Sequence, residues 1–285
     1  MSAQGEEKKI FITVDLEDWF QVENFKAYIH HHEWDNCEKR YEKSTSLLLE
    51  LFDKFKIKAT FFILGWNAER SPHLVREISK RGHEIASHGY GHELCSSLDE
   101  EALYDDLKRS KEMLQDITGV EVLGYRAPSF SVDDRVISLL KKLGYRYDSS
   151  LNSLGLNSRH GKIDLQSYKK RGLAYLDEEG FAELPVSNWP FMGMNLPWGG
   201  GGYFRFWPSF LFYEGVKRIL RKEEGYNFYL HPWEVDPGQP RVNDADLLFK
   251  FRHYLNLDAC FNKLERFIKK FRNHHFISCA DYLEK

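Results

Sequence analysis

The chain has 285 residues, a formal net charge of −3 and a sequence pI of about 6.5. This near-neutral balance gives no case for a nucleic-acid surface or an anionic-membrane surface. Hydrophobic residues make up 42% of the chain and charged residues 29%, which is typical of a globular protein with an ample core. We expect a single domain over residues 1–285, with a distinct C-terminal segment over about 236–285.

The sequence also bears on the compartment of the protein. The first twenty residues contain no apolar segment long enough for a signal peptide, and no run of about 18 apolar residues occurs further along. Cys37, Cys95, Cys260 and Cys279 are scattered and form no Cys-x-x-Cys pair, which favours reduced thiols over a disulfide framework. We therefore expect a cytoplasmic protein without a transmembrane segment, and an oligomer is possible.

Strands and helices alternate along the chain, which predicts an α/β fold with a parallel sheet. Seven segments are typical of buried strands, and in chain order they are KIFITV, KATFFIL, HEIA, EVLGY, YRYD, FAELPV and YNFYL. Amphipathic segments between them predict helices, one of which starts with a capping box at Ser97 and Glu100. About seven parallel strands in one domain favour an imperfect barrel, although the pattern weakens over residues 151–180.

The segment HEIASHGYGH, residues 83–92, raises the question of a metal site. His88 and His92 are four residues apart, but a chain with 12 histidines can produce such a pair by chance. Gly89 stands where a zincin helix would carry its glutamate, so the glycines predict a loop that leaves a strand. A loop at a strand end is where a metal site on an α/β scaffold is expected.

Polar side chains follow the carboxyl ends of five predicted strands, where the active sites of parallel barrels lie. They are Asp15, Glu17 and Asp18 after the first strand, His88 and His92 after the third, Arg126 after the fourth, Asp148 after the fifth and His231 after the seventh. Each has an ordinary structural explanation when taken singly, such as a turn cap, a surface ion pair or a core histidine. Their occurrence together at one end of the sheet predicts a functional site.

These residue types are suited to hydrolysis of an amide or an ester. Two neutral imidazoles and one carboxylate form a catalytic zinc-type site, in which the ion activates water and polarises a carbonyl. A second carboxylate can act as general base, and a histidine across the site can protonate the leaving nitrogen. An arginine can hold the basic carboxylate in place. The ligand types predict one divalent metal ion per chain, zinc by preference.

Five ordered motifs, TVDLED, SHGYGH, YRAPSF, YDSS and YLHPWE, resemble the polysaccharide deacetylase family with the NodB homology domain, carbohydrate esterase family 4. The resemblance covers about residues 10–235. The segments VDLEDWFQVENF, GGGGYFR, HPWEVDPGQPR and FRHYLNL are similar to the subgroup associated with exosortase and exopolysaccharide gene clusters. This resemblance implies a distorted (β/α) barrel and metal-dependent removal of N-acetyl or O-acetyl groups from a carbohydrate, as in exopolysaccharide or envelope glycan biosynthesis.

The resemblance also implies roles for individual residues. They are Asp15 as general base, His231 as general acid, Arg126 as the residue that orients Asp15, His88 and His92 as metal ligands, Leu230 as the lining of the acetyl-methyl pocket, and Asp148 in the groove wall. The segment GGGGYFR is either a glycine-rich surface loop or a segment that folds over the barrel mouth, and Tyr203, Arg205 and Trp233 are predicted substrate contacts. The third metal ligand is either Glu17 or Asp18, because the family pattern of two adjacent aspartates is replaced here by Asp15-Leu16-Glu17-Asp18.

Two other functions compete with a carbohydrate deacetylase. One is an amide hydrolase on a non-sugar substrate, as in allantoinase-like members of this fold, which often lose the metal-binding set. The other is a non-catalytic glycan-binding protein, for which loss of Asp15 or His231 would be expected. This chain keeps both the metal-binding set and the acid–base pair.

Overall fold

The computed structural model describes residues 8–152, 161–191 and 194–284. Within these ranges the strands are β1 (Lys9–Leu16), β2 (Thr60–Ile63), β3 (Glu84–Ser87), β4 (Gly124–Tyr125), β5 (Tyr147–Asp148), β6 (Lys169–Arg171), β7 (Ala174–Leu176), β8 (Ala182–Glu183), β9 (Asn188–Phe191), β10 (Met194–Pro197), β11 (Gly225–Leu230) and β12 (His275–Phe276). The helices are α1 (Tyr41–Phe55), α2 (Gly65–Arg70), α3 (Pro72–Lys80), α4 (Glu100–Thr118), α5 (Asp134–Lys142), α6 (Gly201–Phe206), α7 (Ser209–Lys222), α8 (Leu247–Tyr254), α9 (Leu257–Lys270) and α10 (Cys279–Leu283).

Seven strands form a continuous parallel sheet in the order β11-β1-β2-β3-β4-β5-β8. Each overlaps one of the seven segments expected from the sequence, so the predicted parallel α/β fold is confirmed. The sheet curls so that its outer strands β11 and β8 approach each other without forming a continuous set of strand hydrogen bonds. Between them, the backbone N–H of Ser187, just after β8, donates to the carbonyl of Asn227 in β11 at 3.1 Å. The result is an incompletely closed, distorted barrel.

Alternation along β1 explains how a buried strand presents a polar site. Ile12 and Val14 belong to the large apolar cluster that β1 shares with the surrounding helices. Thr13 and Asp15 point to the opposite face, where both accept hydrogen bonds from Arg126. Because side chains alternate along a strand, one apolar run fixes the strand while its odd-numbered residues enter the barrel.

Other parts of the architecture differ from the sequence-based expectation. The helix α4 is capped by Asp99, whose Oδ1 accepts from the N–H of Ala102 at 2.9 Å, so the predicted capping box at Ser97 is wrong. The weakly patterned region contains the antiparallel hairpin β6–β7 beyond β8, while its residues 153–160 lie outside the described residues. The glycine-rich segment GGGGYFR runs into α6 rather than forming a loop throughout.

The four cysteines are free thiols. Cys95, Cys260 and Cys279 are buried, and Cys37 is half-buried. Among the described residues, no helix combines the length and the apolar character needed to cross a membrane.

The buried His83 makes the fold sensitive to acid. Its Nδ1 accepts from the N–H of Ala59, and its ring lies against Phe52 and Phe61. Burial, reinforced by Lys58, lowers the pKa of His83 to about 4. The unfolded chain therefore takes up this proton first as the pH falls. We expect His83 to cost about 2–3 kcal/mol of unfolding free energy between pH 7 and pH 4.5.

The measurement is urea unfolding at both pH values, with His83→Gln as the matched variant. Glutamine can still accept from the N–H of Ala59 but does not titrate, so its stability should fall less with acid than that of the wild type. An identical pH dependence in the two proteins would contradict this assignment.

Candidate active site

A cavity of about 440 Å³ opens at the carboxyl ends of the parallel strands. Asp15 enters it from β1, His88 follows β3, and His231 follows β11. Glu17 and His92 line it from the connections that leave β1 and β3. The structure thus brings together five of the residues expected from the sequence, at the end of the sheet where they were expected.

Glu17, His88 and His92 form a compact cluster that could hold a metal ion. The Oε1 atom of Glu17 lies 2.9 Å from His88 Nε2 and 3.0 Å from His92 Nε2. One ligand atom from each residue lies within 4.8 Å of the other two, and all three residues are buried. Ligand atoms around a tetrahedral zinc ion stand roughly 3.3 Å apart, so this donor set fits a divalent cation after a small relaxation.

The loop after β3 sets the orientation of both imidazoles. His88 Nδ1 lies 2.7 Å from the carbonyl oxygen of Arg126, so it donates there and leaves Nε2 directed at Glu17. Gly89 has a φ of +72°, and a Cβ there would stand 2.7 Å from Asp106. His92 itself adopts the left-handed region at φ 55°. The expected glycine-dependent loop is present, and it is closed by a strained histidine.

Electrostatics favour an ionised Glu17. Burial alone would raise the pKa of its carboxyl, but His92, His231 and His88 together hold that pKa well below its usual range. An anionic oxygen beside two imidazole nitrogens is the donor set of many catalytic zinc sites.

Asp18 does not join this cluster. Its Oδ1 accepts from the N–H of Trp19 at 2.8 Å, and its Oδ2 accepts from the N–H groups of Arg40 and Tyr41 at 2.6 and 3.1 Å. The carboxylate is therefore directed at backbone donors at the start of α1. This geometry contradicts Asp18 as third ligand and leaves Glu17 as the residue placed for that role.

Arg126 contacts Asp15 directly. Its Nη1 donates to Asp15 Oδ1 and to Thr13 Oγ1, both at 2.7 Å. Its Nε and Nη2 donate to the carbonyl and hydroxyl oxygens of Ser149, each at 2.9 Å. All three nitrogens are engaged in a fully buried position, so the guanidinium fixes one carboxylate oxygen of Asp15 and leaves the other toward the cavity.

His231 lines the cavity beside Asp15 and Glu17. Its Nε2 is 3.9 Å from both Asp15 Oδ2 and Glu17 Oε1, and its Nδ1 is 2.9 Å from Glu234 Oε1. Burial lowers the pKa of His231, but Glu17, Glu234 and Asp15 outweigh it and raise the pKa to about 9. These carboxylates favour the protonated ring, and His231 lines the cavity.

Leu230 is not part of the cavity. It belongs to the apolar cluster outside the barrel with Val14, and it is fully buried there. Tyr229 lines the cavity instead, with its ring 4.9 Å from that of Phe130. The predicted role of Leu230 is wrong because strand alternation turns it away from His231. The same alternation, applied to β11, would have identified Tyr229.

Asp148 is also displaced from its predicted place in the groove wall. It is fully buried, and its two oxygens accept from the hydroxyl and the N–H of Ser150 at 2.6 and 3.0 Å. Glu183 lies beside it, and burial raises the pKa of both carboxyls. This pair is part of the barrel interior rather than of the cavity.

Tyr203, Trp233 and Arg205 all line the cavity, and Arg205 also makes an internal ion pair. Only 3% of Arg205 is exposed, and its Nε donates to Glu234 Oε2 at 2.7 Å. Its remaining nitrogens donate to backbone carbonyls near the end of α8. Protein acceptors thus hold the guanidinium in place at the cavity wall, and a substrate contact by Arg205 stays a prediction.

Comparisons with known proteins agree with this geometry. Residues 4–147, just over half of the chain, match the polysaccharide deacetylase family model, and residues 149–284 match a domain of unknown function, DUF3473. The chain is 39% identical over 107 residues to the peptidoglycan deacetylase-like protein FGM2 of Gibberella zeae, covering 37% of this chain and 32% of that protein. It is 33% identical over 102 residues to a peptidoglycan-N-acetylglucosamine deacetylase of Bacillus cereus, covering 36% of this chain and 47% of that enzyme.

Solved structures share the fold over nearly the whole chain. A Mycobacterium smegmatis protein named for the polysaccharide deacetylases superposes with a TM-score of 0.62 at 22% identity, covering 100% of this chain and 92% of that one. A CE4 family pseudoenzyme from Bacillus anthracis superposes with a TM-score of 0.55 at 14% identity, covering 97% of this chain and 66% of that one. The family match over residues 4–147, on a fold of the same kind, establishes that the chain belongs to the polysaccharide deacetylase family.

Proposed function

We propose that this protein is a metal-dependent hydrolase that removes acetyl groups from an N-acetylated carbohydrate. The observation that carries the proposal is one cavity in which the cluster of Glu17, His88 and His92 is flanked by Asp15 and His231. A metal-binding cluster between a held carboxylate and a protonated imidazole provides the groups needed to hydrolyse an amide. The peptidoglycan-N-acetylglucosamine deacetylase and the deacetylase-like protein named above support the same reaction class.

Different residues of the chain carry out different steps of the reaction. A divalent cation held by Glu17, His88 and His92, zinc by ligand type, would polarise the acetyl carbonyl and lower the pKa of water. Asp15, kept in place by Arg126, accepts the proton of the attacking water. His231 then donates its Nε2 proton to the departing sugar nitrogen, which could not leave as an anion.

The cavity suits a sugar with an acetamido group. Its volume of about 440 Å³ lies within the range of small-molecule sites. Tyr203 and Tyr229 give it aromatic walls, on which the apolar face of a sugar ring can pack while the ring edges offer polar contacts. An N-acetylated carbohydrate therefore fits better than a small polar cyclic amide. O-acetyl groups would be cleaved by the same residues with less need for the acid.

The proposal extends to the biological setting. The subgroup segments noted in the sequence favour an intermediate of exopolysaccharide or envelope glycan biosynthesis over a finished wall polymer. The free thiols of Cys37, Cys95, Cys260 and Cys279 fit a reducing compartment such as the cytoplasm. We treat residues 1–285 as one domain, because strands on both sides of residue 148 share the parallel sheet.

The test is hydrolysis of a panel of substrates, followed as acetate release for the N-acetylated carbohydrates and as ring opening for allantoin, which contains no acetyl group. The panel contains an N-acetylated polymer, a lipid-linked oligosaccharide, a nucleotide sugar and allantoin as the non-sugar amide. We expect acetate from at least one N-acetylated carbohydrate, with a preference for the biosynthetic intermediates. Cleavage of allantoin alone would support the non-sugar amide hydrolase, and binding of glycans without any acetate release would support the binding protein.

A further inference from the structure

The carboxylate of Glu234 connects His231 to Arg205. Its Oε1 lies 2.9 Å from His231 Nδ1 and also accepts from the backbone N–H of His231 at 3.1 Å. Its Oε2 accepts from Arg205 Nε at 2.7 Å. Burial would raise the pKa of this carboxyl, but Arg205 and His231 lower it below its usual value. Glu234 is therefore ionised, and its Oε1 accepts a hydrogen bond from the N–H at Nδ1 of His231.

Arg205 in turn is held by the C-terminal part of the chain. Its Nη1 donates to the carbonyl oxygens of His253 at 2.9 Å and Leu255 at 2.5 Å, and its Nη2 donates to that of Arg252 at 3.2 Å. These carbonyls belong to the last turn of α8 and the residue after it. The end of this helix thus fixes the guanidinium that fixes Glu234.

The rings around His231 restrict its rotation. Trp233 stacks on His231, with the two ring centroids 5.1 Å apart. It also stacks on His253, with the two ring centroids 4.1 Å apart. His253 is anchored by Gln239, whose Oε1 lies 2.6 Å from His253 Nε2. The imidazole plane of His231 is therefore set by a stack that begins in the C-terminal segment.

The glycine run explains how Arg205 can reach this place. A Cβ at Gly201 would stand 2.1 Å from Glu234 Oε1, whereas a Cβ at Gly202 would meet nothing within 4 Å. The first turn of α6 must therefore pass directly against the Glu234 carboxylate, and only glycine permits that approach at residue 201.

We propose that Glu234 is the positioning residue of the general acid, and that residues 200–256, within the region matched by the domain of unknown function, serve to hold it. Glu234, held by Arg205, accepts the proton on Nδ1 of His231 at the side of the ring that faces away from the reaction. Nε2 of His231 is thereby turned toward Asp15 and the leaving nitrogen. This inference rests on the proposed function, since it assumes that His231 is the acid.

A buried ion pair without such a role would have a different signature. Its loss would lower the stability of the fold and would reduce all activities in proportion to the folded fraction. A positioning residue acts through His231, so the effect of its loss on activity must depend on whether the leaving group needs a proton. The nitrogen leaving group of an N-acetyl sugar needs a proton, whereas the 4-nitrophenolate leaving group of an aryl ester does not.

The experiment compares the metal-loaded wild type with Glu234→Gln on an N-acetylated glycan and on 4-nitrophenyl acetate. We expect kcat on the glycan to fall about 10- to 100-fold with KM nearly unchanged, as is usual when an outer hydrogen-bond partner is lost. Hydrolysis of the aryl ester should change less than about threefold, because its leaving group needs no acid. Equal losses on both substrates, or no loss on either, would overturn the proposal.

A matched glycine pair covers the case in which Glu234→Gln fails to fold. Gly201→Ala pushes a methyl group against the Glu234 carboxylate, and Gly202→Ala places the same group one residue later, in the cavity that Gly202 lines and away from Glu234. The first should lower the ratio of kcat on the glycan to kcat on the aryl ester. The second acts on substrate binding and so on KM, and it should leave that ratio of kcat values at the wild-type value. Equal ratios in the two variants would count against the positioning role.

The ¹⁵N-imidazole spectrum separates this inference from the proposed function. The wild type should show a hydrogen-bonded Nδ1–H signal for His231 that is lost in Glu234→Gln. If the wild type cleaves no N-acetylated carbohydrate, the proposed function fails while this signal still shows whether Glu234 holds the ring. If the wild type is active and the signal is absent, the positioning role fails alone.

Discussion

Replacement of Glu17 by glutamine is expected to remove metal binding and acetate release together. The amide keeps the shape of a side chain that is only 3% exposed, but it loses the anionic oxygen that lies within 3.0 Å of His88 and His92. Loss of an outer ligand partner already costs about 10- to 100-fold in metal affinity or activity, so loss of a ligand should cost more than about 100-fold. The measurements are metal content after dialysis and kcat on an N-acetylated glycan.

Asp18→Asn is the matched control, because the two carboxylates are adjacent in sequence. The asparagine would turn an amide N–H toward backbone donors that now share an anionic acceptor, at a cost of about 1–3 kcal/mol of unfolding free energy. It should nevertheless keep its metal ion. Metal loss in Asp18→Asn with retention in Glu17→Gln would reverse the assignment of the third ligand.

Replacement of Asp15 by asparagine is expected to abolish turnover in protein that still holds its metal ion. The amide cannot accept a proton from water, and loss of a general base costs about 100- to 10,000-fold. The variant also leaves Arg126 buried without its counterion, so its melting temperature should fall. The kcat is therefore measured well below the transition and divided by the metal content.

Thr13→Val separates the two effects in Asp15→Asn. Thr13 accepts from the same Arg126 nitrogen as Asp15, at the same distance of 2.7 Å, but it has no part in proton transfer. Thr13→Val should lower the melting temperature with less than about a tenfold loss in kcat, since it weakens only the support of Arg126. If Asp15→Asn keeps more than about a tenth of the wild-type kcat per bound metal, Asp15 is not the base.

The seven parallel strands could be predicted because each is an apolar run bounded by turn residues. The hairpin β6–β7 could not, because Lys169–Arg171 is short, charged and fully exposed, so it carries no burial pattern. The cap of α4 was misplaced by two residues for a similar reason. Ser97 and Asp99 both fit an N-cap, and only the path of the backbone selects Asp99.

The site was predictable where one residue follows one strand end, and less so where two neighbours compete. Glu17 and Asp18 are the first two residues after β1, and the choice between them depends on the backbone of Arg40 and Tyr41, which the sequence does not place near Asp18. Leu230 and Tyr229 are distinguished by strand parity alone, which the sequence does contain.

The roles of Arg205 and Glu234 were not accessible from sequence patterns. The two residues are 29 positions apart, and the carbonyls that hold Arg205 follow nearly 50 positions later. An arginine after four glycines resembles a mobile ligand-binding segment until its partners are known. Such long-range polar contacts leave no periodic signal, because they depend on how separate elements pack.

The most direct test of the central claim is a metal titration of activity. Metal-free protein is prepared with a chelator, zinc is added in steps, and acetate release from an N-acetylated glycan is followed at each step. The arrangement of Glu17, His88 and His92 predicts no release without metal, and a rise that reaches its plateau at one ion per chain. Full acetate release by the metal-free protein would contradict the account.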